Sequence, residues 1–293
     1  MKGNRTITTG MHRKLSLLFL IAFFSGWLMA QTDEQPVYRL STANHRAGIS
    51  FVDLFDPYLS SLNYSGIGVR VELLEQRFLN PDSNRFSRFI RLTGMTARTY
   101  NPASTAVVDY LGGNLSWGMQ YHYRKIDNLV VLAGAAMEGD YGFKMNSRNV
   151  NNPINLDIAF TLNAVIGARY FLQTRKRTLQ FTGSYEIPFI GMMFVPYPGL
   201  SYYELYSSRQ LSEAIFFSSL HNRQGHKVSV SLDFPLRRST IHLGWRYNSL
   251  KFQGSGPIYS MKEQSVLLGI TYDIFRSSGR TSRFPSHFIR SMY

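Results

Sequence analysis

Nine apolar residues recur at every second position from Ile154 to Tyr170: Ile154, Leu156, Ile158, Phe160, Leu162, Ala164, Ile166, Ala168 and Tyr170. Between them lie Asn155, Asp157, Ala159, Thr161, Asn163, Val165, Gly167 and Arg169. A period of two places these sets on opposite faces of one extended strand, one face oily and the other largely polar. Strands of soluble sheets run to about 5 or 6 residues. A membrane-crossing strand needs about 9 to 11 residues, with its oily side toward lipid and its polar side toward a lumen. The run therefore bears on compartment and fold together.

The first 30 residues read as a secretory signal. Lys2, Arg5, Arg13 and Lys14 form a basic start, Leu15 to Met29 an apolar stretch, and Ala30 a small residue suited to cleavage. Met11 begins a shorter signal of the same kind. Past residue 30 there is no run of about 18 apolar residues, so no membrane-spanning helix is expected. The chain still has much apolar surface to place, with 44% hydrophobic residues, 18 Tyr and 21 Phe. Alternating strands reconcile the two facts, because a barrel spreads its lipid-facing residues over many weakly hydropathic segments. Cysteine is absent, which excludes disulfides, thiol catalysis and a lipidated cysteine anchor. The net charge of +14 falls to about +10 without the four signal cations. These basic residues are scattered, in small groups at 175–177, 237–238 and the tail, and no nucleic-acid motif accompanies them, so lipid headgroups are the expected surface partner.

Further period-two runs follow the same pattern. They include Leu115 to Tyr123, Leu129 to Met137, Leu179 to Ile187, Val228 to Phe234, Ile241 to Tyr247 and Val266 to Ile274. Less regular strands fall near Ile67 to Leu74 and Phe86 to Thr96, and Ala47, Ile49 and Phe51 suggest one more ahead of them. Connections at 79–85, 125–127, 173–177 and 235–239 are short, whereas 98–105, 144–153, 188–226 and 252–262 are long. Barrels of the outer membrane have short periplasmic turns and longer external loops. The prediction is an all-β, transmembrane, antiparallel up-and-down barrel of ten strands over 44–275, or twelve if 188–226 hides a hairpin. A periplasmic segment at 31–43 precedes it and a basic tail at 276–293 follows.

Four segments carry a resemblance: Asp56 to Gly66, Asn146 to Pro153, Asp233 to Pro235, and most distinctively Gly191-Met-Met-Phe-Val-Pro196 followed by Gly199-Leu-Ser-Tyr-Tyr-Glu204. In order and spacing they resemble a family of Gram-negative outer-membrane β-barrels of unknown function. The resemblance implies a barrel exported to the outer membrane and supplies no activity.

The segment after Pro188 is the candidate constriction, with Tyr197, Ser201, Tyr202, Tyr203 and Glu204. Folded inward, tyrosine hydroxyls and a carboxylate would meet polar wall residues and select solutes; the plainer reading is a packed loop that caps the barrel. Asp157, Asn163, Arg169 and Glu186 are further lumen candidates, among inward sets that also hold Arg70, Glu72, Arg91, Arg246 and Asp273. Such mixed signs either pair into a filling or line a narrow wet passage. Expected partners are outer-membrane lipids, with small solutes or an envelope protein beside them. A lipid- or peptide-cleaving enzyme is the alternative, drawing on Ser201, Glu204, His221, His226, His242 or the Glu138 and Asp140 pair. None of these forms a recognised nucleophile motif. No cofactor or metal site is expected, since the histidines include no close ligand pair on one face.

Overall fold

The computed structural model describes residues 41–79, 85–150, 152–175, 177–208, 211–236, 239–254 and 256–274. The signal, the segment before residue 41, the tail from 276 and the basic residues Lys176, Arg237 and Arg238 lie outside the described residues. The strands are β1 (Ser41–Phe55), β2 (Asn63–Phe78), β3 (Phe86–Tyr100), β4 (Val107–Ile126), β5 (Leu129–Met145) and β6 (Ile154–Gln173). They continue with β7 (Thr178–Phe194), β8 (Ile215–Ser219), β9 (Arg223–Pro235), β10 (Thr240–Gln253) and β11 (Ile258–Ile274). Each pairs antiparallel with its neighbour, and β1 pairs with β11, so the sheet closes on itself.

Eleven strands make ten wall positions. β8 and β9 both pair with β7, β8 at Ile190 to Phe194 and β9 at Gln180 to Glu186, so they are two lengths of one wall strand interrupted at 220–222. The count of ten holds, and the twelve-strand alternative is corrected because the described residues of 188–226 add no further wall hairpin. Its first seven residues continue β7, and the true connection is 195–214. Pro188 sits inside a strand because an extra residue, Phe189, is inserted there: Leu162 pairs with Ile190 and Asn163 with Pro188. A bulge is where a strand tolerates a residue without an N–H donor.

The wall is inside out relative to a soluble barrel. On β6, Ile158 and Phe160 are 53% and 58% exposed, whereas Asn155 and Asn163 are at most 1% exposed. The other strands share this sense: Ile67, Val69, Leu115, Trp245, Val266 and Leu268 face outward, while Glu72, Ser116, Arg246 and Glu263 are buried within. Closure satisfies the backbone donors and acceptors without water, which is the condition for crossing lipid. The long loops gather at one end and the short turns, with the start of β1 and the end of β11, at the other.

Candidate functional site

The lumen is built in three layers. The middle layer follows from strand alternation, which directs one side chain in two inward. Arg91 on β3 reaches across to Glu186 on β7 with two contacts of 2.5 Å, and lies 3.8 Å from Glu138 on β5. Lys227 on β9 also pairs with Glu138, whose second oxygen accepts from Ser116 at 2.8 Å. Arg70 on β2 holds both oxygens of Glu263 at 2.8 Å, and Arg246 donates to Glu72 at 2.9 Å, with Arg46 3.4 Å from the same carboxylate. Every carboxylate in this belt has a cation within ion-pairing reach, as burial of charge demands. Asn163 donates to Glu138 at 3.1 Å.

Toward the long loops the inward positions become apolar. Val52, Leu54, Met95, Val108, Met193 and Phe252 pack against Tyr58 and Leu59 of the first loop and Val195 at the start of the 195–214 connection. Two loops thus fold into the mouth. Asp56 anchors the first: one oxygen accepts from the Tyr58 N–H at 3.0 Å, and the other takes Lys144 at 2.8 Å and Asn155 at 2.7 Å. Lys144 also meets Asp157 at 2.5 Å. The second is held by tyrosine hydroxyls. Tyr202 donates to Asn155 at 2.8 Å and accepts from the Leu156 N–H at 2.8 Å, Tyr58 donates to the Leu200 carbonyl at 2.9 Å, and Tyr259 to the Pro196 carbonyl at 3.1 Å. Burial, then the carboxylates of Asp56 and Glu204, push the Tyr58 hydroxyl up to about 12. Burial likewise raises Tyr202 well above the ordinary tyrosine range.

Helix α1 (Tyr202–Ser207) lies in this cap. Ser201 is its N-cap: its hydroxyl accepts from the Glu204 N–H at 3.2 Å, while Glu204 accepts from the Ser201 N–H at 2.7 Å and hydroxyl at 2.9 Å. These bonds, the backbone one first, pull the Glu204 carboxyl below its usual range. Ser201 and Glu204 therefore form a capping box.

Of the predicted constriction, the geometry brings only Tyr202 into the barrel mouth. Tyr203 is 78% exposed, and the half-buried Tyr197 donates to the Glu213 carbonyl at 3.2 Å and packs edge-on against Phe216. Asp157, Asn163, Arg169 and Glu186 all face the lumen, as the alternation requires, but in three different layers: Asp157 under the cap, Glu186 and Asn163 in the belt, Arg169 toward the short turns, where it donates to Gln76 at 3.3 Å. Among the enzyme pieces, Asp140 is paired with Arg223 at 2.9 Å, His226 contacts Tyr185, and His221 contacts Ser219. Asp56, Lys144 and Glu263 were not singled out in the sequence. Lys144 was within reach of it, sharing the inward phase of Glu138 and Asp140 on β5. Among the described residues no group of three or more His, Asp or Glu side chains is placed to hold a metal.

Free space in the lumen includes cavities of about 70 Å³ beneath the cap, about 100 Å³ beside the belt and, adjoining the latter, about 80 Å³ nearer the short turns. Fold and lumen together define a ten-strand antiparallel β-barrel of the outer-membrane kind, with paired charges across its interior.

The chain belongs to the family described as protein of unknown function (DUF3316), whose model matches residues 15–277. Among curated proteins there is no significant sequence match. Among solved structures the chain is similar to the outer membrane protease OmpT from Escherichia coli, with 8% identity and a TM-score of 0.49 over 85% of this chain and 99% of that one. It is also similar to the translocator domain of the autotransporter NalP from Neisseria meningitidis, with 10% identity and a TM-score of 0.40 over 90% and 97%. An outer membrane channel from Pseudomonas putida F1 gives 10% identity and a TM-score of 0.35 over 84% and 100%.

Proposed function

We propose that the protein is a closed barrel of the Gram-negative outer membrane that serves a structural or partner-binding role in the envelope. On this reading the leader is cleaved after export, the long loops face outward, and the short turns and both ends of the barrel chain face the periplasm. The loop pattern supports that orientation, since short turns belong on the periplasmic side.

The observation that carries the reading is the belt of Arg70, Arg91 and Arg246 with Glu72, Glu138, Glu186 and Glu263. Here the charged groups neutralise one another across the bore, which favours a closed section at that level over a passage lined by hydrated charges. The apolar cap adds a second barrier. Surfaces left for a partner are the loop end and the short-turn end.

Planar-bilayer recording of the purified protein tests this. Silence in the wild type, with steps appearing only when 196–208 is deleted together with Arg91→Ala and Glu186→Ala, fits a double closure. Reproducible steps in the untouched protein would overturn it. In-cell crosslinking from exposed loop positions, Tyr203 and Tyr206, then asks whether a stable envelope partner is held there.

A further inference from the structure

The third lumen layer is a chamber near the short turns, and its chemistry differs from the belt above it. Register sets it up. Asp233 on β9 lies directly opposite His242 on β10, and the next inward pair along the same two strands is Ser231 opposite Gly244. Asp233 Oδ1 is 2.6 Å from His242 Nδ1, and its other oxygen accepts from Gln180 at 3.1 Å, so both carboxylate oxygens are engaged. This contact fixes the ring and turns Nε2 away from the acid. His242 is 2% exposed, and its Nε2 has no hydrogen-bond partner among the described residues. A buried ring nitrogen without a partner is costly in a folded protein and points to a ligand or ordered solvent.

The dyad lines a space of about 80 Å³ together with Arg46, Arg169, Asn44 and Thr271. Asn44 is held in place by donating to Thr271 at 2.7 Å and accepting from Arg46 Nε at 2.9 Å. Nε2 has room for a partner because the residue beside it is a glycine: a Cβ added at Gly244 would lie 3.1 Å from Nε2 and 3.7 Å from the Cβ of Ser231, which lines the same space. Two guanidinium groups, an imidazole and a ring of hydroxyl and amide groups surround one engaged carboxylate. That combination favours an oxyanion carrying several oxygens.

We propose that this chamber binds a phosphate group. An imidazolium Nε2 donates to a phosphate oxygen, and a neutral ring accepts from a phosphate hydroxyl, so the contact survives either protonation state of His242. Arg46 on β1 and Arg169 on β6 reach the anion from separate parts of the wall. Free phosphate, a phosphomonoester and a lipid headgroup share this chemistry, and all would arrive through the short-turn end.

The test is isothermal titration of the full-length processed protein in phosphate-free detergent, first with inorganic phosphate and then with dihexanoyl phosphatidate. Saturable binding is expected, weakened roughly tenfold or more by His242→Asn, as for loss of one hydrogen bond to a charged group. Gly244→Val, which leaves every charge in place and crowds Nε2, should weaken it likewise. Binding of both probes assigns the site to the phosphate group itself, and binding of phosphatidate alone assigns it to a lipid headgroup. Each variant is first checked for a folded barrel by heat-modifiable gel mobility. If Gly244→Val does not fold, Ser231→Val obstructs the chamber from the opposite strand. Absence of saturable binding for both probes, or unchanged affinity in folded variants, overturns the proposal.

Discussion

Replacing Arg91 alone by Met separates a dry lumen from a wet one. The guanidinium makes two 2.5 Å contacts with Glu186 and sits 3.8 Å from Glu138, and both carboxylates are buried. Removing it strands the charge of Glu186. In a dry interior, deleting one member of a buried pair costs about 3 to 5 kcal/mol, or roughly 150- to 5,000-fold in the folding equilibrium. In a hydrated channel the same pair is screened and worth at most about 1 kcal/mol. The double variant Arg91→Met with Glu186→Leu removes both charges and restores most of the loss, because a matched apolar pair is tolerated where a lone charge is not. Reversible urea unfolding in lipid vesicles reads these differences through the outward-facing Trp117 and Trp245. A loss below about 1 kcal/mol in the single variant would refute the account of the belt as a seal.

Three other outcomes follow from the geometry. Spin labels at Ile158, Phe160 and Ile166 should be quenched by lipid-soluble oxygen, whereas labels at Asn155 and Asn163 should be shielded from it; equal accessibility of the two sets would defeat the inside-out wall. The cap should loosen in strong alkali: the raised Tyr58 hydroxyl contributes stability that is whole below its unfolded value near 10 and disappears as pH climbs through about 12. Hydrogen exchange at 196–208 should therefore rise across that window and do so less in Tyr58→Phe. Glu204 has the opposite sign: its lowered carboxyl supports α1 above the ordinary carboxylate range and loses that support as acid protonates it, so Glu204→Gln should flatten the acid dependence of exchange at Ser201 to Ser208.

Much of the wall was legible because lipid and lumen impose opposite demands on alternate residues. The run at Ile154 to Tyr170 gave the correct facing for Asp157, Asn163 and Arg169, and Ala47, Ile49 and Phe51 marked the tenth wall strand, which begins at Ser41. Strand β7 was cut short at Pro188 because proline ordinarily ends a strand; the Phe189 bulge absorbs it. The upper lumen escaped notice for a different reason. There the inward set of β1 turns apolar, Val52 and Leu54, while the outward set mixes Phe51 with Asp53, so the oily-out, polar-in alternation fades where the cap packs. Ser201 and Glu204 carried the Ser-x-x-Glu spacing of a helix cap, and their chemistry was weighed ahead of that local role. Cross-bore pairing such as Arg91 with Glu186 depends on circumference and register, which no local pattern encodes.

The seam between β1 and β11 joins the two ends of the barrel chain, from Ser41 paired with Ile274 to Phe55 paired with Ser260. Several lumen contacts span the same long interval, including Arg70 with Glu263, Arg246 with Glu72 and Thr42 with Asp273. Sealing the cylinder and neutralising its interior are consequently a single event, since Glu263 and Arg246 find their partners only when the last strands dock on the first. Until then the nascent wall carries unmatched charges along its inner side. Biogenesis should thus be strongly cooperative, and a chain lacking β11 should fail to insert rather than yield an open, leaky sheet.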